Sequence, residues 1–202
     1  MGAALVEPLR VHSGRVAPLL RRDIDTDQII PKQFLKSIER TGFGRYLFHD
    51  WRVGPDGTPT AGFVLDDARY AGASILVTGA NFGCGSSREH AAWALQDYGF
   101  RVVIASSFAD IFRNNAITNG VLPLTLPEPM VDAIGDRATQ SPGYSLVIDL
   151  EARRVRDDAD LDQPFSIDNA ARERLLNGLD DIGVILQYES AIAKYERAHG
   201  IE

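Results

Sequence analysis

A glycine-rich stretch at residues 81–90 joins a predicted strand to a predicted helix, and it constrains the fold more than any other part of the chain. The apolar run at residues 73–80 has the length and the β-branched content of a buried strand. After the stretch, apolar residues recur at helical spacing, at Ala91, Ala94, Leu95 and Tyr98. The sequence therefore predicts a strand, a tight turn and a helix, which is a building unit of α/β folds.

The residues of this turn suit an anionic ligand. Gly83 and Gly85 allow backbone angles that a Cβ forbids, and they let a ligand approach the main chain. The first amides of the following helix are unpaired and carry the positive end of the helix dipole. Arg88 adds a fork of donors that fits a carboxylate or a phosphate. Together with the hydroxyls of Ser86 and Ser87, the turn predicts a site for a small acid.

The same residues also allow a purely structural interpretation. Ser86 followed by Glu89 three positions later matches a capping box, in which a hydroxyl and a carboxylate satisfy the first amides of a helix. In that case the serines only start the helix, and Arg88 is a solvated charge. A cap needs neither two adjacent hydroxyls nor an arginine nor glycines on both sides of Cys84, and this favours the ligand site.

Composition and charge exclude several classes of function. The net charge is −7 and the chain has no block of lysine and arginine, which argues against a nucleic-acid-binding surface. No apolar run approaches the ~20 residues of a membrane span, and the amino terminus lacks the pattern of a secretory signal. A single cysteine, Cys84, rules out an internal disulfide and suits a reducing cytoplasm, which is the expected location. One thiol also cannot hold an iron–sulfur cluster, which needs about three or four thiolates.

Three acids alternate with other residues at Asp23, Asp25 and Asp27. Counted from Asp23, the places where an EF-hand loop needs a glycine and a final acid hold Gln28 and Phe34, which excludes that calcium site. Without a metal, the segment is typical of a polar loop with turn-forming aspartates. His12, earlier in the chain, has no neighbours that would complete a catalytic or metal set, and we expect an ordinary strand residue.

The remaining pattern predicts an α/β fold with a partly parallel central sheet. Predicted strands lie at residues 11–19, with an interruption at 12–14, and at 102–105 and 121–124. Pro123 indicates that the last of these is an edge strand or contains a bulge. A hairpin is predicted over residues 144–155, followed by an acidic turn at 157–162. Helices are predicted at 109–116, at 128–138, at 169–176 between caps at Asp168 or Asn169 and Gly178, and at about 185–199.

The motif residues resemble a known family. Residues 85–91 are similar to the signature of the swivel domain of the aconitase superfamily, and the longer run 79–95 resembles the small subunits of bacterial 3-isopropylmalate dehydratase. Residues 23–31, 106–115 and 119–123 extend the resemblance over nearly the whole chain. It implies a single swivel domain over residues 1–202, layered β/β/α, with its site at 73–98 and a helical region at about 166–202.

The resemblance also implies an activity and the residues that perform it. The expected reaction is the isomerisation of 2- and 3-isopropylmalate through 2-isopropylmaleate in leucine biosynthesis, by a hydro-lyase heterodimer with a large subunit. In this family pattern Ser86 is the base and Arg88 stabilises charge at the substrate, whereas His90 only supports the loop. The residues implied to bind substrate are Gly85, Ser87, Thr26, Asp27, Lys32, Phe34 and Leu35. Phe34 and Leu35 could instead be ordinary core.

No metal or cofactor is expected on this chain, and the resemblance implies a [4Fe–4S] cluster on the large subunit. Two alternatives remain open. The substrate could be a smaller relative such as citraconate or methylmalate, which residues 31–43 would decide. From a different class, the chain could be a non-catalytic anion-binding or regulatory module that kept the turn.

Overall fold

A seven-stranded mixed sheet forms the centre of the computed structural model, which describes residues 6–35 and 41–200. The strands are β1 (Val11–Leu19), β2 (Ile75–Thr78), β3 (Val102–Ala105), β4 (Leu122–Thr125), β5 (Ser145–Asp149), β6 (Arg154–Arg156) and β7 (Asp162–Pro164). Their order across the sheet is β4-β3-β2-β1-β5-β6-β7. The pairs β1–β2, β2–β3 and β3–β4 are parallel. The pairs β1–β5, β5–β6 and β6–β7 are antiparallel. The predicted α/β class with a partly parallel sheet is therefore confirmed, and β4 lies at an edge as Pro123 indicated.

Strand β1 belongs to both halves of the sheet. Its second half, from Val16, pairs with β2, while its first half pairs with β5. The predicted interruption at residues 12–14 is wrong, because β1 is continuous. Gly14 is required there for close packing, since a Cβ would collide with the Ser74 hydroxyl, which hydrogen-bonds His12 Nε2 at 2.8 Å directly over it.

Helices cover both faces of the sheet. They are α1 (Thr26–Ile29), α2 (His49–Arg52), α3 (Glu89–Tyr98), α4 (Asp110–Thr118), α5 (Glu128–Gln140), α6 (Asn169–Asn177), α7 (Asp181–Leu186) and α8 (Glu189–His199). Short 3₁₀ turns span Lys32–Phe34, Gly44–Tyr46, Val64–Asp66 and Ala68–Tyr70. The single carboxyl-terminal helix expected from the sequence is divided into α7 and α8, and β7 begins at the end of the predicted acidic turn. Asp168 and Gly178 cap α6 as predicted.

The central strands are buried on both sides, as parallel strands between two layers usually are. Val16, Ile75 and Ile104 point into one apolar cluster, which α5 and α6 complete. Alternate strand residues, such as Leu76 and Val103, point into a second cluster with α3, α4 and aromatic residues of the 43–70 segment. The described residues contain no helix long and apolar enough to span a bilayer.

The parallel arrangement brings three connections to one edge of the sheet. The segments that follow β1, β2 and β3 all start at the carboxyl ends of these strands, where ligands of open α/β sheets commonly bind. The residues singled out in the sequence at 23–27 and 81–90 lie on two of these segments.

Candidate active site

The turn after β2 is held between its two neighbouring connections. On one side it runs beside residues 23–26, and on the other beside residues 107–109. The backbone bonds are Asp23 N–H to Ala80 O (2.9 Å), Gly83 N–H to Ile24 O (2.7 Å), Thr26 N–H to Cys84 O (2.9 Å), Phe82 N–H to Ser107 O (3.1 Å) and Ala109 N–H to Phe82 O (3.0 Å). The segments at residues 23–26 and 107–109 therefore hold the glycine-rich turn in place from both sides.

The two glycines of the turn serve different purposes. Gly83 has φ +78° and is buried, and a Cβ there would overlap the ring of Phe112. That ring also meets Phe82 edge-on, with centroids 5.0 Å apart. Gly85 has φ +89° but is exposed, and a Cβ would come no closer than 3.4 Å to Asp25. Gly83 therefore lets the turn pack closely against the Phe112 ring, while Gly85 keeps the outer surface of the turn free of a side chain.

The three acids of the first connection have three different partners. Asp23 Oδ1 accepts a hydrogen bond from the Asn81 side-chain amide at 2.8 Å. Asp25 caps α1 in a reciprocal capping box with Gln28, with bonds of 2.7 and 2.9 Å. Asp27 pairs with Arg88. The capping role of Asp25 was not predicted, although its spacing to Gln28 is a sufficient signal.

Arg88 and Asp27 form a two-pronged ion pair. The guanidinium donates from Nη1 to Asp27 Oδ1 at 2.5 Å and from Nη2 to Oδ2 at 2.8 Å. A third, longer bond runs from Nη1 to the Ile30 carbonyl at 3.4 Å. The Arg88 side chain is only 15% exposed, whereas that of Asp27 is 53% exposed. The geometry fixes the plane of the guanidinium and leaves its carboxylate partner open to solvent.

Ser86 and Ser87 lie just before α3 and are exposed. The backbone of Ser86 is anchored, because the buried Thr26 hydroxyl donates to its carbonyl at 2.8 Å. The structure thus brings Thr26, Asp27, Ser86 and Arg88 together, as the resemblance implied.

The capping box between Ser86 and Glu89 is not formed. Helix α3 starts at Glu89, its N-cap is Arg88, and no side chain caps it. The Glu89 carboxylate instead accepts a hydrogen bond from the Asn119 side-chain amide at 3.2 Å. The structural interpretation of the serines as helix caps is therefore wrong.

His90 and Cys84 flank the serines but are placed for packing. His90 lies edge-on to Phe43 and beside Trp93, with centroid distances of 5.3 and 4.5 Å. Burial lowers the pKa of His90, so its imidazole is neutral at pH 7. Burial, with smaller effects of the nearby Asp25 and Asp23 carboxylates, raises the pKa of the Cys84 thiol.

Cys84 is the single cysteine of the sequence, and one thiol is too few for an iron–sulfur cluster, which needs about three or four thiolates. Within residues 6–35 and 41–200, no group of three or more His, Cys, Asp or Glu side chains could hold a metal ion. The described residues therefore do not fit a cluster site.

Lys32, Phe34 and Leu35 lie on and just after the 3₁₀ turn that follows α1. The Phe34 ring stacks on Tyr46, with centroids 3.9 Å apart and planes 11° apart. It also lines a cavity of about 220 Å³ whose wall includes Arg45. Lys32 is exposed. Contact of these three residues with a substrate stays a prediction, and part of the segment 31–43 lies outside the described residues.

The chain is similar to proteins of known name over nearly its full length. Residues 6–129 match the family model of the aconitase C-terminal domain. A 3-isopropylmalate dehydratase small subunit from Koribacter versatilis is 56% identical over 194 residues, which are 96% of this chain and 100% of the relative. One from Brevibacillus brevis is 56% identical over 191 residues, 95% of this chain and 98% of the relative.

A solved structure agrees in fold. The crystal structure of 3-isopropylmalate dehydratase from Methanocaldococcus jannaschii superposes with a TM-score of 0.67 at 26% identity, covering 92% of this chain and 99% of that one. The chain therefore belongs to the family of 3-isopropylmalate dehydratase small subunits, which carry the aconitase C-terminal domain.

Proposed function

We propose that this chain is the small subunit of a 3-isopropylmalate dehydratase and acts as one swivel domain. With a large subunit it interconverts 2-isopropylmalate and 3-isopropylmalate through 2-isopropylmaleate, in leucine biosynthesis in the cytoplasm. One observation carries this proposal: exposed serines and a fixed arginine precede an uncapped helix start, in a chain 56% identical to such subunits.

The first task of the site is to hold the carboxylates of a 2-hydroxy diacid. Arg88 presents a guanidinium whose plane is already fixed by Asp27. The unpaired amides at the start of α3 add the positive end of the helix dipole, and Gly85 and Ser87 border the same surface. The substrate carboxylate is proposed to approach the guanidinium from the solvent side of this pair, where 15% of the Arg88 side chain and 53% of the Asp27 side chain are exposed.

The second task is removal of a proton from a weakly acidic carbon, for which Ser86 is the proposed base. A serine hydroxyl is too weak an acid to do this unaided, so its alkoxide must be stabilised by the helix start and by Arg88. The same positive groups stabilise the charge that develops on the substrate carboxylate as the proton leaves. Thr26 contributes by holding the Ser86 backbone in place.

The third task is recognition of the side group. Phe34, supported by its stack on Tyr46, offers a rigid apolar wall, with Leu35 beside it and Lys32 free to meet a carboxylate. Each methylene of the side group changes discrimination by only about 1–3 kcal/mol in a hydrophobic pocket. Isopropylmalate is proposed because the 56%-identical relatives carry that name.

Departure of the hydroxyl needs a Lewis acid, which we assign to a [4Fe–4S] cluster of the large subunit because Cys84 is the single cysteine of this chain. The functional unit is then a heterodimer. The turn at 79–88 would close over the partner's site and exclude water.

The test is anaerobic turnover of 2-isopropylmalate by this chain alone and mixed with an iron–sulfur-reconstituted large subunit. Ser86→Ala is expected to lower kcat in the mixture by about 10²–10⁴-fold. Ser141→Ala, at an exposed serine of the α5–β5 turn, is the matched control and should be fully active.

Each outcome separates two readings of the site. Turnover only in the mixture, lost in Ser86→Ala, supports both the subunit and the base. Full activity of Ser86→Ala would keep the subunit and remove Ser86 from catalysis. Turnover of citraconate but not of 2-isopropylmalate would change the assigned substrate and keep the mechanism. No turnover with any active large subunit would favour a regulatory module.

A further inference from the structure

Asn119 is a buried polar residue at the end of α4 whose side chain reaches the first turn of α3. It is 6% exposed. Its Oδ1 accepts from the Trp93 indole N–H at 3.0 Å, and its Nδ2 donates to the Asn115 carbonyl at 2.8 Å and to Glu89 Oε1 at 3.2 Å. Both polar atoms of the Asn119 side chain therefore have hydrogen-bond partners. These bonds matter for stability, because a buried polar group without a partner is destabilising.

The bond to Glu89 matters because of what Glu89 could do otherwise. Ser86 and Glu89 have the spacing of a capping box, so a released Glu89 carboxylate could bond the Ser86 amide while the Ser86 hydroxyl bonds the Glu89 amide. The helix would then begin two residues earlier, at Ser87 instead of Glu89. It would also place a carboxylate at the helix start, where the substrate carboxylate is proposed to bind.

We propose that Asn119 is a positioning residue that keeps Glu89 against α4 and so prevents this capping box. The Ser86 hydroxyl and the amides at the start of α3 then stay available to the substrate. The inference rests on the proposed function of Ser86, but the helix start itself can be measured without turnover. Asn119 acts only through Glu89 and touches no substrate.

Exchange of donor and acceptor tests this pair. Asn119→Asp keeps an oxygen for the Trp93 indole but removes the donor to Glu89 and sets two carboxylates against each other. Adding Glu89→Gln restores a hydrogen bond of reversed polarity, since the Gln amide can donate to the new carboxylate. Asn114→Asp, at an exposed position of α4, is the matched control for the change in charge.

In the reconstituted complex, Asn119→Asp is expected to lower kcat/KM by about 10²-fold, as misplacement of reacting groups does. The double variant is expected to return to within roughly tenfold of the wild type, and Asn114→Asp should match the wild type. A role in packing alone gives no recovery. A double variant as slow as Asn119→Asp, or an Asn119→Asp variant as fast as the wild type, would overturn the proposal.

Amide hydrogen exchange in the isolated subunit tests the helix start directly. Exchange at the Ser86 and Glu89 amides, which the capping box would engage, is expected to slow by about fivefold in Asn119→Asp, the factor that a helix cap typically gives, and to recover in the double variant. Unchanged exchange refutes the proposal. If the wild-type complex does not turn over, the proposed function fails, while this measurement still decides the role of Asn119.

A second pair of variants covers failure of Asn119→Asp to fold. Glu89→Ala deletes the carboxylate, so Asn119→Ala combined with Glu89→Ala should exchange and react like Glu89→Ala alone. An additional loss of activity in that double variant would show that Asn119 acts independently of Glu89, and the proposal would be wrong.

Discussion

Two arginine–aspartate pairs of similar length occupy very different parts of the molecule. Arg88 and Asp27 lie at the carboxyl edge of the parallel strands, with a shortest N–O distance of 2.5 Å. Arg137 and Asp157 form the second pair, with an N–O distance of 2.6 Å. They lie beside Tyr144, whose carbonyl accepts a hydrogen bond from the Val16 amide at the point where β1 starts its parallel pairing. The Asp27 side chain is 53% exposed and that of Asp157 is 0% exposed.

The partners of the two carboxylates explain what each pair does. Asp157 accepts from the amides of Ala159 and Leu161, both at 2.9 Å, and from Tyr144 Oη at 2.9 Å as well as from Arg137. These donors, the two amides above all, lower the pKa of Asp157 to about 2 although burial opposes them. Asp27 is instead open to solvent. A carboxylate surrounded by four donors is a structural centre, whereas an exposed one beside a fixed guanidinium leaves room for a ligand.

The largest expected effect is a loss of stability on removal of the buried Asp157 carboxylate. Asp157→Ala strips the partner from two amides, Tyr144 and Arg137, and should destabilise the fold by about 3–5 kcal/mol. For a chain of this size the melting temperature should fall by roughly 10 °C. Thermal and urea unfolding measure it, with exposed Asp158→Ala as the control. Equal melting temperatures of the two variants would contradict the structural role of Asp157.

Asp27→Asn should behave in the opposite way. It weakens the fork that orients Arg88, so kcat/KM in the complex should fall by roughly tenfold, the effect of one charge-assisted hydrogen bond. Because the pair is partly exposed, stability should change by less than about 1 kcal/mol. Steady-state kinetics and urea unfolding of the same preparation measure both. If Asp27→Asn lost stability but kept normal activity, the Arg88–Asp27 pair would be structural like the Arg137–Asp157 pair, and the proposed difference between the two pairs would be wrong.

The smallest effect is a difference in pH dependence. The folded pKa of Asp157, about 2, lies below the ~3.9 of an unfolded aspartate, so its stabilisation is present above about pH 4 and is lost as the pH falls toward 2. Urea midpoints at pH 5, 4 and 3 should therefore fall less steeply for Asp157→Asn than for the wild type. Equal slopes for Asp157→Asn and the wild type would count against the structural role of Asp157.

Local pattern was sufficient for most of the fold. The apolar run before Ser86, the 3.6-residue spacing after it and Gly178 at the end of α6 predicted elements that the structure confirms. Strand β7 was missed because Asp162, Gln163 and Pro164 carry no apolar signal, and only pairing with β6 makes them a strand. Gly14 was misread as a break, because its purpose is a contact with Ser74, 60 positions away.

What the sequence determined by itself is the strand, the glycine turn and the helix, and it predicts that Ser86, Ser87 and Arg88 are the residues with chemistry. Only the tertiary structure decided how these residues are used. Two possible capping boxes lie at the candidate site, Asp25 with Gln28 and Ser86 with Glu89, and only the first is formed. The reason is physical: a cap is a local hydrogen bond, and Asn119, brought beside Glu89 by the packing of α4 on α3, offers that carboxylate a buried donor instead.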